Sequence, residues 1–318
     1  MEPRAKTIMS PEAKILANRL LNVFESGQAD RNYSYIGWFN DDGGYTIGTG
    51  FLTSQGEIGK ILQAVDLMKK DWPAAEVPRL NAVLKYLVPL TTPAAEGGVM
   101  GLSKKSEKAT ADRRLGISKD YGVLAEEGGA TIGEPTGFLK AWINASSTTM
   151  LQRAHDKLLD EKYLAPAEAL ALKLGFKLPF SVAVLYDTGV LQAYGTAESD
   201  PAYNDDVWSI LKRTDKQVSR ADEKAWIRVF LAERYKALVC SRPDEETGEL
   251  PDVAVAWVVA NNRVIVMQKI AERVDWSFKQ KVTETAYHYG IEFDMTSSTN
   301  VNPTGTEPTP DLTGTSCK

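Results

Sequence analysis

Three carboxylates near the start of the chain could perform acid–base chemistry. Glu25 lies where an amphipathic helix is predicted to end, and Asp41 and Asp42 lie in a predicted tight turn. A helix end and a hairpin tip can face each other across a groove, which would place carboxyl groups on opposite walls. Glycosidic hydrolysis requires such a pair, because one carboxylic acid protonates the leaving oxygen while the other carboxylate activates water or attacks the sugar. Asp in turns and Glu at helix ends are also common for local reasons, so spacing alone leaves both interpretations open.

The elements that must position these carboxylates have clear sequence signals. Ser10 is a candidate N-cap, Pro11 suits the first helical position, and apolar residues then recur at helical spacing. Two strand-like runs follow, at 33–39 and 45–52, and the segment 40–44 between them has the Asn, Asp and Gly residues of a hairpin turn. The sequence therefore predicts a helix followed by a small antiparallel sheet.

Most of the remaining chain shows helical periodicity. Helices are predicted at 57–70, 75–86, 151–159, 165–174, 180–192, 224–239 and 274–289. The segment 253–268 is predicted as a hairpin, with a helix interrupted by polar residues as the alternative. Residues 92–137 hold few large apolar side chains and are predicted to form a loop-rich insertion. Residues 296–318, rich in Ser, Thr, Pro and Asn, are predicted to be a flexible tail behind a mainly α (α+β) catalytic domain at 1–295.

Composition excludes several classes of protein. The chain has 318 residues, 43% hydrophobic and 25% charged, with a formal net charge of −5. These values argue against a disordered chain and against a general nucleic-acid binder, which would carry a basic surplus. Two cysteines, Cys240 and Cys317, are too few for a disulfide-rich scaffold and are predicted to be free thiols. No apolar run has membrane-spanning length, and the first apolar stretch is too interrupted for a cleavable signal peptide.

Several blocks of the sequence resemble the family 46 chitosanases. They are residues 16–26, 35–36, 41–46, 50–51 and 54–57, followed by Leu185-Tyr186-Asp187, Phe230-Leu231-Ala232-Glu233-Arg234 and Arg273-Val274-Asp275. The resemblance implies a lysozyme-like fold of two mainly helical lobes, with a small antiparallel sheet beside the active-site cleft. It also implies an endo-acting, inverting glycoside hydrolase that cleaves β-1,4 linkages in chitosan, a glucosamine polymer.

The same resemblance assigns roles to individual residues. Glu25 takes the place of the general acid, Asp41 that of the general base, and Thr46 that of a residue that helps to hold the attacking water. Asp42 stands where the family usually has Gly, and it is both the alternative base and a candidate substrate contact. Glu57 stands where the family has an Asp that grips a substrate amino group, so it is a candidate to bind a cationic sugar.

Three later residues complete the site that the resemblance implies. Asp187, Arg234 and Arg273 follow in family order and are expected to form a buried ion network behind the general acid. A neighbouring arginine and burial act in opposite directions on a carboxyl group, so such a network can tune and orient the acid. The resemblance implies no metal and no organic cofactor.

Two alternatives to the chitosanase interpretation remain. One is a peptidoglycan-degrading muramidase of phage or secretion-effector type with the same catalytic pair, and the other is an inactive lysozyme-like binding or structural module. From Glu25 to Glu57 the chain has five acidic residues against one basic residue, which favours a polycation such as chitosan over anionic peptidoglycan. The absence of a recognisable signal peptide favours the phage or effector route instead. The expected partner is a polysaccharide, and the expected place of action is outside the cell or at the cell wall.

Overall fold

The first helix, α1 (Pro11–Ser26), forms where the sequence predicts it. The Ser10 hydroxyl oxygen accepts a hydrogen bond from the Ala13 N–H at 3.2 Å, which satisfies one of the unpaired donors of the first turn. One face of the helix is apolar and buried: Ala13, Leu16, Ala17, Leu20 and Leu21. Burial of this face fixes the helix, and Glu25 lies in its last turn.

The computed structural model divides the chain into two compact units. One comprises residues 31–161, and the other comprises residues 1–30 together with 162–318. The described residues are 7–26, 29–38, 45–48, 51–52, 57–87, 137–240, 260–273, 276–278, 283–286 and 291–294. The predicted tail at 296–318 and all but the last residue of the predicted insertion at 92–137 lie outside the described residues.

The unit of residues 31–161 combines short strands with helices. Its elements are β1 (Ile36–Trp38), β2 (Tyr45–Ile47), β3 (Phe51–Leu52), α2 (Glu57–Leu67), α3 (Val77–Leu84), α4 (Gly137–Ala145) and α5 (Thr149–Leu159). The strands are antiparallel in the order β1-β2-β3, with Thr46 opposite both Gly37 and Leu52. Helix α2 packs on α5, and α3 packs on α4, so the sheet is attached to a helical core.

The other unit is helical around one central element. A π-helical segment, Asp160–Leu164, lies directly before the second helix of this unit. Besides α1 it contains α6 (Ala165–Lys173), α7 (Pro179–Gln192), α8 (Val207–Asp215), α9 (Glu223–Val239), α10 (Asn262–Arg273), β4 (Thr283–Ala286) and β5 (Ile291–Asp294). Helix α7 packs against α1, α6, α8 and α9. The mainly helical character predicted from the sequence is confirmed.

Helix α7 is enclosed on all sides. Its residues 180–189 are all buried, which is the pattern of a helix surrounded by others. At Gly189 an added Cβ would lie 2.3 Å from the ring of Tyr194, so the ring packs directly on the helix backbone. A charged residue on such a helix has to be paired inside the protein, because transfer of an isolated charge from water is very costly. Asp187 is that residue.

Two late segments differ from the sequence prediction. The predicted hairpin is wrong for residues 264–268, which lie in α10 and pack against α9. Their Val and Ile side chains resemble a strand locally, but burial follows helical spacing at Val264, Met267, Ile270 and Ala271. The helix predicted over 274–289 is wrong for Thr283–Ala286, which form β4 and pair antiparallel with β5. Tertiary pairing overrides local propensity in both segments.

Two further features concern the whole chain. Cys240, next to the end of α9, is disulfide-bonded, so the prediction of a free thiol is wrong for this residue. Cys317, the other cysteine of the sequence, lies outside the described residues. Among the described helices, none is both long enough and apolar enough to cross a membrane.

A buried histidine lies at the centre of the unit of residues 31–161. His155 on α5 has no solvent exposure, and its ring meets the Tyr33 ring edge-on with centroids 5.3 Å apart. Burial is the main cause that lowers the pKa of His155 to about 4. The imidazole is therefore neutral at neutral pH, and protonating it would put a charge inside the core, where burial outweighs the nearby Asp156 carboxylate.

We expect His155 to make the fold acid-sensitive. Its folded pKa lies below the unfolded value near 6.5, so the unfolded chain binds the proton first and stability falls as the pH drops from about 6.5 to about 4. Urea unfolding at pH 7 and at pH 4.5 measures this loss. In the His155→Gln variant the difference between the two pH values is expected to be smaller by about 2 kcal/mol. An equal difference in both proteins would contradict the assignment.

Candidate active site

The carboxylate of Glu25 is held by one arginine. Nη2 of Arg263, on α10, donates a hydrogen bond to Oε1 of Glu25 at 2.5 Å. The guanidinium also lies over the ring of Phe24, 5.1 Å from its centroid. The Glu25 side chain is 20% exposed and that of Arg263 is 5% exposed. Arg263 therefore holds one oxygen of the carboxyl group, and part of the Glu25 side chain remains accessible to solvent.

Behind this pair lies a second carboxylate with a second arginine. Nη1 of Arg234, on α9, is 2.7 Å from Oδ2 of Asp187, and Nε of Arg263 is 3.6 Å from Oδ1 of the same residue. The side chains of Asp187 and Arg234 are 2% and 0% exposed. Two acidic and two basic residues thus alternate along one chain of contacts, Glu25–Arg263–Asp187–Arg234, hereafter the buried ion cluster. The structure brings together three predicted site residues: Glu25, Asp187 and Arg234.

Gln192 completes the contacts of the inner arginine. Nε of Arg234 donates to Oε1 of Gln192 at 2.9 Å. The amide nitrogen of Gln192 donates in turn to the backbone carbonyl of Asp205, also at 2.9 Å. Gln192 is the last residue of α7, so the helix that carries Asp187 also fixes the far side of the guanidinium. Sequence analysis did not identify Gln192 as part of the site, because a neutral amide at a helix end has many other uses.

In the buried ion cluster, the charges of the carboxylates oppose the effect of burial on the arginines. Burial is the largest influence on Arg234 and lowers its pKa, with the Asp187 carboxylate acting in the opposite direction. For Arg263 burial also acts downward, but the charges of Asp187 and Glu25 together outweigh it and raise the pKa. Both arginines remain charged, because a guanidinium loses its proton only far above neutral pH. The outer arginine is therefore the more strongly stabilised cation, and it is the one that touches Glu25.

Two buried tyrosines, Tyr163 and Tyr186, and the half-buried Tyr194 lie near the buried ion cluster. The Tyr186 hydroxyl donates to Oδ1 of Asn18 at 2.9 Å, and the Tyr194 hydroxyl donates to the backbone carbonyl of Tyr163 at 2.6 Å. Burial first, and then the charge of Glu25, raises the pKa of Tyr163. Burial likewise raises the pKa of Tyr194, so the Tyr163 and Tyr194 hydroxyls stay neutral. Neutral groups around the buried ion cluster keep the local dielectric constant low, which strengthens the nearby ion pairs.

The remaining predicted residues belong to the other unit or lie outside the description. Thr46 is the middle residue of β2, and Glu57 is the first residue of α2. Glu57 is only 2% exposed, and its place in the first turn of a helix is favourable for a negative charge. Its predicted contact with substrate stays a prediction. Asp41 and Asp42 lie outside the described residues, so their predicted roles also stay predictions.

Arg263, which the sequence analysis did not name, joins Asp187 and Arg234 in the buried ion cluster, and the role predicted for Arg273 is a separate question. Arg263 and Arg273 lie on α10, ten positions apart and therefore about 15 Å apart along the helix. The side chain of Arg273 is outside the description, and its role remains a prediction. Arg263 was missed because its segment was predicted to be a hairpin. The helical spacing of Val264 and Met267 was the signal that could have placed it on a buried face.

The described residues contain no group of three or more His, Cys, Asp or Glu side chains arranged to hold a metal ion. The acid–base groups that the structure describes at this site are those of the buried ion cluster. A carboxyl group with one oxygen held by a guanidinium, on a side chain that is partly exposed, can deliver or accept a proton at a fixed position.

Comparison with known proteins gives a consistent result. The model of glycosyl hydrolase family 46 matches residues 124–265. The chitosanase of Bacillus subtilis (strain 168) is 26% identical over 288 residues, which cover 89% of this chain and 85% of that protein.

Solved structures agree at the level of the fold. A mutant chitosanase from Bacillus subtilis MY002, complexed with 6 GlcN, matches with a TM-score of 0.60 and 22% identity over 90% of this chain and 99% of that one. The family 46 chitosanase of Gynuella sunshinyii, in complex with chitotetraose, matches with a TM-score of 0.59 and 19% identity over 90% and 98% of the two chains. The chain thus has a mainly helical fold similar to those of these chitosanases.

Proposed function

The chain is a glycoside hydrolase related to the family 46 chitosanases, and we propose that it cleaves β-1,4 linkages within chitosan with inversion at the anomeric carbon. In this proposal Glu25 is the general acid and Asp41 is the general base. Thr46 helps to hold the attacking water. The proposed substrate is the glucosamine polymer, in keeping with the oligosaccharides bound in the related structures.

The observation that supports this proposal most strongly is the pairing of Glu25 with Arg263. The guanidinium occupies Oε1, and no hydrogen bond to Oε2 is made within the described part of the chain. Oε2 is therefore the oxygen that can carry the proton toward a glycosidic oxygen. Asp187 and Arg234 hold Arg263 in turn, so the direction of the acid is set by groups that are almost completely buried. A general acid needs such a fixed geometry, because proton transfer is efficient only within hydrogen-bond reach.

The proposed reaction balances without any cofactor. Glu25 gives its proton to the leaving oxygen as the bond from that oxygen to the anomeric carbon breaks. A water molecule attacks the opposite face of the sugar, and its proton passes to Asp41. The two carboxyl groups then exchange protons with solvent, which restores the starting state. Inversion requires the two groups to be about 6.5–9.5 Å apart, because the water has to fit between the base and the sugar.

Charge supports chitosan as the substrate. The segment from Glu25 to Glu57 has five acidic residues and one basic residue. A locally negative surface raises the concentration of a polycation near the site and speeds its association. Glu57 is proposed to contribute to recognition of a glucosamine amino group, and Asp42 is proposed as a second acidic contact in the same segment.

The test of this proposal compares polymers. Purified protein is incubated with soluble chitosan and, in parallel, with isolated peptidoglycan sacculi, and new reducing ends are counted. We expect a rapid fall in the viscosity of chitosan, little release from sacculi, and the α-anomer as the first product seen by NMR. Lysis of sacculi alone would show a muramidase instead. Binding of either polymer without new reducing ends would show an inactive binding module.

A further inference from the structure

The β1–β2 pair, whose strands flank the proposed base in the sequence, is anchored to helix α5 at one end, where the chain enters β1 and leaves β2. Residues 39–44, which include Asp41, connect β1 to β2 in the sequence. Arg31 and Tyr33, before β1, contact Asp156 on α5. Tyr33 and Gly48, the residue just after β2, contact the neighbouring His155. All of these residues belong to the unit of residues 31–161.

The contacts before β1 converge on Asp156. Nη1 of Arg31 is 2.5 Å from Oδ1 of Asp156, and the Tyr33 hydroxyl donates to the same carboxylate at 2.9 Å. The backbone of Tyr33 is held as well, since the indole N–H of Trp142 donates to its carbonyl at 2.9 Å. The contacts of Asp156 with His155, Arg31 and Tyr33 outweigh burial and lower the pKa of this carboxyl group, which is therefore ionised at neutral pH.

The contact after β2 is the packing of Gly48 on His155. Gly48 has a φ of +63°, and an added Cβ would lie 2.3 Å from Nε2 of the fully buried His155 ring. Its N–H donates to the carbonyl of Tyr35 at 2.9 Å, which joins the end of β2 to the start of β1. No larger residue fits here without moving either the ring or the strand.

We propose that His155 and Asp156 are positioning residues for the general base. They form, with Gly48, Arg31 and Tyr33, a clamp that anchors the β1–β2 pair at the end where Ile36 faces Ile47. In the sequence, the segment that carries Asp41 links the other ends of the same two strands, Trp38 and Tyr45. Thr46, the proposed water-holding residue, lies within the clamped pair at β2. This inference rests on the proposed function, because it explains how the water-activating side of the reaction is held in place.

The size of the effect follows from the geometry of catalysis. A displacement of about 1 Å at a reacting group can reduce the rate about 100-fold. An added methyl group at residue 48 would lie 2.3 Å from the imidazole, whereas ordinary van der Waals contact begins at 3.4 Å. The strand or the ring therefore has to move by about 1 Å, the displacement considered above. Loss of the Asp156 charge weakens only the contacts with Arg31 and Tyr33 and leaves the packing of Gly48 on His155 intact. Its effect on kcat is therefore expected to be smaller than that of Gly48→Ala.

The decisive experiment compares two glycine variants in the full chain. Gly48→Ala and Gly175→Ala both place a side chain at positive φ, but at Gly175 there is nothing within 4 Å of the added Cβ. We expect kcat on chitosan to fall about 100-fold in Gly48→Ala with KM within threefold, and to stay within twofold in Gly175→Ala. Asp156→Asn is expected to lower kcat about three- to tenfold.

Hydrogen exchange tests the clamp independently of enzyme activity. Hydrogen exchange of the β2 amides and the Gly48 amide is expected to be at least tenfold faster in Asp156→Asn than in wild type, while the amides of α2 keep their protection. If the wild type cleaves chitosan and Gly48→Ala stays within threefold of Gly175→Ala, the clamp is refuted and the proposed function stands. If the wild type is inactive, the proposed function fails, and unchanged exchange in Asp156→Asn refutes the clamp independently.

Discussion

Replacing Glu25 with Gln is expected to lower kcat on chitosan by about 1,000-fold while the protein stays folded. The amide oxygen of Gln can still accept the hydrogen bond from Arg263, so the α1–α10 contact survives. The amide cannot deliver a proton to the leaving oxygen, so the step that needs an acid is lost. KM is expected to change less than threefold, because the substitution changes proton delivery rather than binding.

A matched pair of measurements identifies the lost role. An aryl glycoside of a glucosamine oligomer with a dinitrophenyl leaving group needs no protonation, so Glu25→Gln is expected to cleave it at close to the wild-type rate. Glu12→Gln, an exposed change in the first turn of the same helix, serves as the control and is expected to keep kcat within twofold. If Glu25→Gln retains more than a tenth of wild-type kcat on chitosan, Glu25 is not the general acid.

Replacing Asp187 with Asn is expected to destabilise the protein by about 3–5 kcal/mol, the typical cost of leaving a buried charge without its partner. Arg234 has no solvent exposure, and the 2.7 Å contact with Asp187 is its only ion pair with a carboxylate among the described residues. The neutral amide cannot compensate the guanidinium. A loss of this size corresponds to a fall in Tm on the order of 10 °C, and urea unfolding measures it directly.

A double-variant cycle separates charge from packing. Adding Arg234→Met to Asp187→Asn removes the uncompensated cation and is expected to recover part of the lost stability, because isolated buried charges cost more than apolar replacements. Glu161→Gln is the control, since its pairing with Lys157 is on the surface with side chains more than 60% exposed, and it is expected to change stability by less than about 1 kcal/mol. Strictly additive effects of the two cluster substitutions would contradict the coupling.

Local sequence signals were sufficient to predict much of the fold. The N-cap at Ser10 and the proline after it act within one helical turn, so α1 could be predicted from its own sequence. Helix α7 was also predicted, at 180–192, because its apolar run is long. Asp187 and Arg234 could be predicted only by resemblance, since each residue alone looks like an ordinary surface charge.

The other parts of the fold and of the candidate site depended on contacts that sequence patterns do not show. The run that contains Arg263 is rich in β-branched residues, and packing of α10 against α9 decides in favour of a helix. That decision also determines which arginine reaches Glu25. Gln192 and His155 were likewise not recognised, because a neutral amide and a single histidine become informative only when their neighbours are known.

The contact between Glu25 and Arg263 joins residues that are 238 positions apart in the chain. Closing so large a loop is entropically unfavourable and slow compared with forming local contacts. During synthesis the ribosome releases α1 early, whereas α10 emerges only after more than four-fifths of the chain has been made. The unit of residues 31–161 is continuous in sequence and can fold in that interval. A nascent or truncated chain therefore holds Glu25 without Arg263, and we expect hydrolase activity only after α10 has joined α1.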